Sequence, residues 1–146
     1  MTVELGATDV SVQRTPDGRR LVVSRPVDAP RAVVWDVLTD THQWPAWGPS
    51  ITAVESETRY VEPGTTGRVQ VVGGLWVPFE IDACAPYRWT WSVARIPATG
   101  HSVEERDGGS TVCFEVPVLA AGYVPVCARA CRKIAEIAAE NAEREN

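Results

Sequence analysis

Histidine side chains are the first residues of this sequence whose chemistry could go beyond packing. The chain has two of them, and His101 alternates in step with Val103, which places it on an apolar strand face. There it could bond a ligand oxygen or act as a general acid or base near neutral pH. The pattern favours a simpler role, a histidine at the exposed end of a strand that bonds to backbone. His42, two residues before Trp44, is predicted to lie on the surface.

A second candidate lies on a predicted strand with two different faces. Arg68 and Gln70 share one face, and Val69 and Val71 share the other. If the polar face is the inner one, Arg68 could anchor a carboxylate or an enolate. The preferred interpretation is an exposed basic residue.

The four cysteines of the chain are interpreted as reduced thiols. Cys127 and Cys131 are four residues apart and face the same side of a predicted helix. Two thiolates could begin a metal site, but neither histidine lies at metal-ligand spacing from them, and Cys84 and Cys113 belong to separate strands. Small buried apolar side chains are the favoured interpretation. We therefore expect no metal and no cofactor.

Aromatic residues form the strongest candidate binding feature. Six tryptophans accompany only two phenylalanines, although tryptophan needs a partner for its N–H when it is buried. Tyr87, Trp89 and Trp91 share one face of a predicted strand, and Phe79 and Phe114 lie on neighbouring strands. These rings could fill a core, or they could line an apolar pocket that carries a few polar anchors. The residues alone favour the filled core.

The elements that must position these residues are short strands between two helical regions. Alternation and turn residues predict strands over 19–27, 50–58, 68–72, 75–84, 87–96, 99–106 and 111–116. The strand at 50–58 alternates poorly, which indicates a bulge, and Asp107-Gly108-Gly109 is a strong hairpin signal. A helix is predicted from about residue 28 to Asp40, with one short helical turn before Pro49.

One long amphipathic helix is predicted at the C-terminus, over about 118–144, and would cover the sheet. Its apolar stripe consists of Val126, Ala130, Ile134 and Ile137. Gly122 and Pro125 disfavour a helix interior, so we expect a kink or a late start near Val124. Residues 1–12 alternate weakly and are compatible with a frayed extension.

Bulk properties exclude several classes of function. The 146 residues are expected to form one domain over 1–146, and a net charge of −5 without a basic block excludes nucleic acid as a partner. No apolar run reaches the roughly 20 residues of a membrane span. The first residues lack the features of a signal peptide, so a cytoplasmic location is expected. Neither a monomer nor a homodimer is excluded.

The order of elements, together with several local motifs, resembles the helix-grip fold of the START-like, or SRPBCC, superfamily. The motifs are SRPVDAP at 24–30, VVWDVLTD at 33–40, WPAWGP at 44–49, PGTTG at 63–67, PYRWTW at 86–91 and HSVE at 101–104. Within that superfamily the chain looks like the bacterial polyketide cyclase/dehydrase branch. The match runs from about Arg19 to Asn141, and its motifs are structural rather than specific to a reaction.

This resemblance implies an α+β fold in which a curved antiparallel sheet of about seven strands wraps around the C-terminal helix. Two short helices follow the first strand. A cavity between sheet and helix would take lipids, sterols, polyketides or other hydrophobic molecules. The residues expected to contact the ligand are Phe79, Trp89, Trp91, His101, Phe114, Tyr123 and Cys127.

Three functions are compatible with these expectations. The first is a carrier or sensor that binds a small hydrophobic molecule of the lipid, polyketide or aromatic type. The second is an enzyme similar to polyketide aromatase/cyclases, for which His101, Arg68 and Tyr123 are weak catalytic candidates. The third is a protein-interaction module with an exposed patch at Trp44 and Trp47.

Overall fold

The fold is organised by a single open antiparallel sheet, which the computed structural model describes together with its helices over residues 2–5 and 7–145. The strands run in the spatial order β1-β2-β3-β9-β8-β7-β6-β5-β4. Their bounds are β1 Thr2–Leu5, β2 Thr8–Thr15, β3 Gly18–Val27, β4 Ile51–Ser56, β5 Thr66–Val71, β6 Trp76–Ala85, β7 Arg88–Val93, β8 Ile96–Arg106 and β9 Gly109–Pro117. The α+β fold class expected from the sequence is confirmed.

The sheet is larger than expected, because the first fifteen residues add two strands to the predicted seven. The strand β2 pairs with β3 from Asp9 opposite Ser24 to Thr15 opposite Gly18, and β1 pairs with β2. Residues 2–5 and 8–12 are therefore sheet rather than frayed chain, while Met1 and Gly6 lie outside the described residues.

Tight turns join most consecutive strands, and one of them was not expected. Asp107 and Gly108 form the predicted turn, in which Gly108 has a φ of 80°. The strand predicted over 87–96 is instead split, because Val93 pairs with Ile96 across a two-residue turn. Ala94 and Arg95 occupy that turn with φ values of 52° and 68°. Alanine and arginine are not typical turn residues, so this turn could not be predicted from residue type.

The helices lie before and after the main run of strands. Helix α1 spans Arg31–Thr39 and α2 spans Trp44–Trp47, with a 3-10 turn between them at Thr41–Gln43. A second 3-10 segment, Val118–Tyr123, precedes the long helix α3, which spans Val124–Arg144. The predicted late start of the helix is confirmed, because Pro125 lies in the first turn, where its missing N–H costs nothing. None of the described helices combines the length and apolar character that a membrane crossing needs.

Helix α3 packs against β3 and β9 and closes one side of the core. Cys131, Ile134 and Ala138 on its inner face are fully buried, as are Val23 on β3 and Val116 on β9. The predicted bulge in β4 is also present, as a register shift between Ile51 and Ala53. The first turns of α3 face β7 and β8 across a cavity, and it is here that packing is incomplete.

Candidate functional site

A cavity of about 570 Å³ lies between the sheet and the first turns of α3. Its wall combines side chains of α2, β5, β7, β8, β9, the segment 118–123 and α3. The side chains that line it most deeply are Trp44, Trp47, Val69, Trp89, Trp91, His101, Phe114, Cys127 and Ala130. Among the described residues that line it, none is an aspartate, glutamate, lysine or arginine.

The hollow arises because small residues of α3 face large rings of the sheet. Cys127 and Ala130 present short side chains toward the cavity, while Trp89 and Phe114 stand on the strands across from them. Short side chains cannot reach the opposite wall, so the space between them is left for another molecule. An apolar, largely preformed cavity of this size is typical of small-molecule sites.

The inner end of the cavity is closed by a stack of aromatic rings. Trp44 lies parallel to Trp89, with ring centroids 5.3 Å apart and planes inclined by 10°. His101 covers the same indole at 3.9 Å with an inclination of 25°. Trp91 meets both Trp44 and Trp89 edge-on, at 5.4 and 5.8 Å. Trp89 is thus stacked between two rings, which fixes the orientation of its indole.

A short chain of hydrogen bonds crosses the polar part of the wall and defines the state of His101. The carbonyl of Trp89 lies 3.3 Å from His101 Nδ1 and can only accept, so Nδ1 carries the proton. His101 Nε2 then accepts from Thr99 Oγ1 at 2.9 Å. Thr99 Oγ1 in turn accepts from Trp91 Nε1 at 3.1 Å. Every donor in this chain has an acceptor, and the imidazole is held as one neutral tautomer.

The electrostatics of the site agree with a neutral imidazole. Burial in the apolar wall lowers the pKa of His101 to about 3, and the charge of Arg88 acts in the same direction. The hydrogen bond to the Trp89 carbonyl opposes this shift but does not cancel it. Both ring nitrogens are engaged, so His101 is poorly suited to exchange protons with a ligand at neutral pH.

The mouth of the cavity is formed by more exposed residues. Tyr123 and Ser50 bridge it with a hydroxyl–hydroxyl hydrogen bond of 2.7 Å, and burial raises the pKa of the Tyr123 phenol. Leu119, on the 3-10 segment, is fully exposed, and Ile96, after the β7–β8 turn, is two-thirds exposed. A ligand that enters the cavity would pass these apolar side chains first.

The cysteines of the site are unreactive thiols rather than nucleophiles. Burial raises the pKa of Cys127 to about 12, and it raises the pKa of Cys131 further from its ordinary value. Both side chains are buried, which confirms their interpretation as small apolar residues. Within residues 2–5 and 7–145 no group of three or more His, Cys, Asp or Glu side chains comes together as a metal ion would require.

Comparison with known families gives a match over most of the chain. Residues 18–144 match the family described as polyketide cyclase / dehydrase and lipid transport. The chain belongs to this family. The resemblance to SRPBCC proteins expected from the sequence is thereby confirmed. Among curated proteins, no match is found.

Several solved structures have the same fold as this chain. Protein Ms6760 from Mycobacterium smegmatis is 20% identical, with a TM-score of 0.61 over 90% of this chain and 99% of that one. A protein from Rhodobacter sphaeroides is 16% identical, with a TM-score of 0.64 over 90% and 98%. CalU16 from Micromonospora echinospora is 18% identical, with a TM-score of 0.56 over 95% and 96%. At these identities the likeness establishes the fold alone.

Most of the expected ligand contacts lie together in this family member. The cavity wall includes Trp89, Trp91, His101, Phe114, Tyr123 and Cys127. Phe79 does not reach the wall, because it packs behind Trp44 and Trp91 at centroid distances of 5.4 and 5.7 Å.

Two other candidates lie away from the cavity. Arg68 lies on the outer face of β5, where it pairs with Glu55 at 3.0 Å and covers the Trp76 ring at 4.4 Å. Tyr87 precedes β7, outside the strand, and contacts Trp35 and Arg31 instead of the cavity.

Two sequence-based expectations are wrong. His101 does not lie at an exposed strand end, because β8 starts five residues earlier, at Ile96, and carries it into the core with 2% exposure. Trp44 and Trp47 are buried rather than exposed, and their indole N–H groups donate to the carbonyls of Leu38 and Val37. The interaction patch proposed for these two rings is therefore absent.

One polar residue of the site was missed at the sequence level. Thr99 orients both His101 and Trp91, but a threonine at the start of a predicted strand has no distinguishing pattern. The only available signal was its spacing, two residues before His101 and so on the same strand face.

Proposed function

We propose that this protein binds a small hydrophobic molecule in the cavity between the sheet and α3. The single observation that carries the proposal is the cavity itself, about 570 Å³ with an aromatic and aliphatic wall. A hollow of this kind in a core costs stability when it stays empty, because the lining side chains lose packing partners. A ligand of drug-like or lipid-like size would restore those contacts.

The composition of the wall supports a carrier or sensor more than a catalyst. Of the three catalytic candidates, Arg68 lies outside the cavity, paired with Glu55. His101 already uses both ring nitrogens. Tyr123 remains at the mouth, where its hydroxyl is bonded to Ser50 and its raised pKa makes it a weak acid.

A cyclase-like reaction is the second candidate function, and the family description is what favours it. In such a reaction the wall would hold a flexible chain in a productive fold, and one polar group would move a proton. Tyr123 is then the best-placed donor, because it is the candidate whose hydroxyl faces the mouth of the cavity rather than the core.

The proposal is tested by ligand capture and by filling the cavity. Native mass spectrometry of the purified protein reports any molecule that copurifies, and quenching of tryptophan fluorescence by the neutral dye Nile red reports binding in solution. Ala130→Phe places a ring into the hollow, while the control Ala121→Phe makes the same change at an exposed position outside the wall.

We expect Nile red to quench the wild type and the Ala121 variant alike, and to lose at least tenfold in affinity with Ala130→Phe. The filled variant should stay folded, because the new ring occupies existing space. Loss of folding in Ala130→Phe, with no dye binding to the wild type, would mean that the core is solid and would defeat the proposal. For the second candidate, unchanged turnover of a poly-β-ketone by Tyr123→Phe would remove Tyr123 from any catalytic role.

A further inference from the structure

Exposed apolar side chains are concentrated around the mouth of the cavity. Among the described residues, eight large apolar or aromatic side chains are well exposed to solvent. Six of the eight lie on three connections at one end of the sheet: the β5–β6 turn, the β7–β8 turn and the segment before α3. We call these six residues the mouth rim: Val72, Leu75, Ile96, Val118, Leu119 and Tyr123.

The mouth rim is continuous with the wall of the cavity. Ile96, Leu119 and Tyr123 line the cavity themselves, and Val72 directly follows the wall residue Val71. The β5–β6 and β7–β8 turns are at the same end of the sheet, because both adjoin the first half of β6, where Phe79 pairs with Val93. A surface that covered the rim would therefore also cover the entrance to the cavity.

The composition of these connections is unusual for chain that is exposed to water. Residues 72–75, 93–98 and 117–124 contain one charged residue, Arg95, although 23% of the whole chain is charged. At the opposite end of the sheet, the β8–β9 turn carries Glu105, Arg106 and Asp107. An apolar patch that is confined to one end of a domain marks a surface for a partner or a membrane.

A basic cluster lies beside the mouth, on the outer face of α3. Arg129, Arg132 and Lys133 form this cluster and are exposed to solvent. They adjoin Pro49, which also lines the cavity. Within the described residues, neither the cluster nor Arg95 forms a salt bridge. Four cations therefore remain available to an anionic partner at this end of the molecule.

The charge of α3 changes sign along its length, which gives the molecule a basic end despite a net charge of −5. The outer face is basic up to Lys133 and mostly acidic from Glu136 onward. Arg129 and Glu140 are eleven residues apart, about 16 Å along the axis, which is twice the roughly 8 Å over which physiological salt screens a charge. A second copy docked rim to rim would bring two basic clusters together, so the charges favour an anionic surface instead.

We propose that the mouth rim and the basic cluster form a docking surface for a lipid bilayer that contains anionic lipids. The rim side chains enter the interfacial layer, while Arg95 and the cluster contact the anionic headgroups. Apolar side chains flanked by basic residues are the combination that holds a protein on such a membrane without spanning it. This docking goes beyond the binding function proposed above, because it concerns the outside of the mouth. It would open the cavity toward the bilayer, so that a hydrophobic molecule could pass between them without crossing water.

Vesicle flotation measures the docking directly. The full chain is mixed with vesicles of phosphatidylcholine alone or of phosphatidylcholine with phosphatidylserine, and the fraction that floats with the lipid gives the affinity. Leu75→Asp changes an exposed rim residue that is not part of the cavity wall, and Val12→Asp makes a similar change at an exposed position on β2. Arg129→Gln removes a charge near the mouth, and Arg144→Gln removes one at the far end of α3.

We expect the wild type to float with the phosphatidylserine vesicles, to bind phosphatidylcholine alone far more weakly, and to be released by high salt. Leu75→Asp should weaken binding at least about tenfold, as the loss of one buried leucine side chain predicts. Arg129→Gln should weaken it about fivefold, the contribution of one basic residue near an anionic membrane. Val12→Asp and Arg144→Gln should retain the affinity of the wild type.

Failure of the wild type to float with either kind of vesicle would overturn the docking surface. Equal losses in Leu75→Asp and Val12→Asp would also overturn it, because binding would then not depend on the rim. Dimerisation that Leu75→Asp abolishes, seen by sedimentation velocity without vesicle binding, would assign the rim to a second copy instead. Nile red binding without vesicles tests the cavity separately and should be the same in Leu75→Asp and the wild type, so docking and ligand binding can fail independently.

Discussion

His101 gives the most quantitative prediction, because the chain contains one buried and one exposed histidine. Replacement of His101 by glutamine removes a ring whose pKa is lowered to about 3 by burial, from an ordinary value of 6.5. His42, which is exposed, supplies a matched control through His42→Gln. The quantity to compare is the change of unfolding free energy with pH, which isolates titration from any general loss of stability in a variant.

The sign follows from proton binding in the two states. Between pH 6.5 and about 3 the unfolded chain binds a proton at this residue and the folded chain does not, so stability falls as pH falls. Each pH unit in this window costs about 1.4 kcal/mol. From pH 7 to pH 4.5, integration gives a loss of about 2.5 kcal/mol, a large part of the 5–15 kcal/mol that stabilises a typical domain.

Urea unfolding followed by tryptophan fluorescence at pH 7.0, 5.5 and 4.5 measures this loss directly. His101→Gln should lose about 2.5 kcal/mol less than the wild type, while His42→Gln controls for the same substitution at an exposed position. Titrating carboxylates contribute equally to the wild type and His101→Gln and cancel in that comparison. Parallel pH profiles for wild type and His101→Gln, or a native imidazole that titrates near 6.5 by NMR, would refute the reasoning.

Three further predictions concern stability and are checked by thermal and urea unfolding. Gly67→Ala should cost more than about 2 kcal/mol, because a Cβ there would collide with the Glu55 carbonyl and lie within 3 Å of the Phe79 ring; an unchanged melting temperature would contradict the packing. Arg95→Gly should stabilise by up to about 1 kcal/mol, because Arg95 has a φ of 68°; the reverse result would show that the turn has another geometry. Asp40→Ala should cost at least about 1–2 kcal/mol, because the buried Asp40 carboxylate accepts from the backbone N–H of His42 and also pairs with Arg59 at 2.9 Å; a neutral effect would mean that neither contact contributes.

Alternation and turn chemistry were sufficient to predict the seven strands from β3 to β9. Asp107-Gly108 predicts the hairpin between β8 and β9, because glycine adopts positive φ without strain. The turn between β7 and β8 was misplaced by about three residues, to Pro97, because the true turn uses Ala94 and Arg95, two residues that adopt positive φ only when the flanking strands impose it. Local sequence thus predicts turns that determine their own geometry, but not turns that tertiary structure determines.

The sequence predicts which candidate side chains share a face of the sheet, but not how deeply each of them is buried. Period-two alternation assigns Trp89, Trp91 and His101 to one side of the sheet, but it does not say how far each lies from solvent. Burial depends on which elements cover that face, and helix α2, which places Trp44 over Trp89, has only four residues of its own. The hydrogen bonds of Thr99 to His101 and Trp91 also depend on the helices that cover this face. They could therefore not be inferred without the positions of those helices.

The volume of the cavity and its aromatic wall originate in different parts of the chain, and this separation has a consequence for ligand choice. Along α3, the side chains change from small Cys127 and Ala130 over the cavity to Ile134, which fills the core one turn further on. The size of the hollow is therefore controlled by two helix positions. The polar wall belongs to β7 and β8, where Trp89 and His101 are fixed by stacking. Substitutions on α3 should change which ligands fit by volume, and substitutions at Trp89 should change the aromatic surface against which a ligand packs. Because both sets of residues line the same cavity, their effects on affinity should be coupled rather than additive.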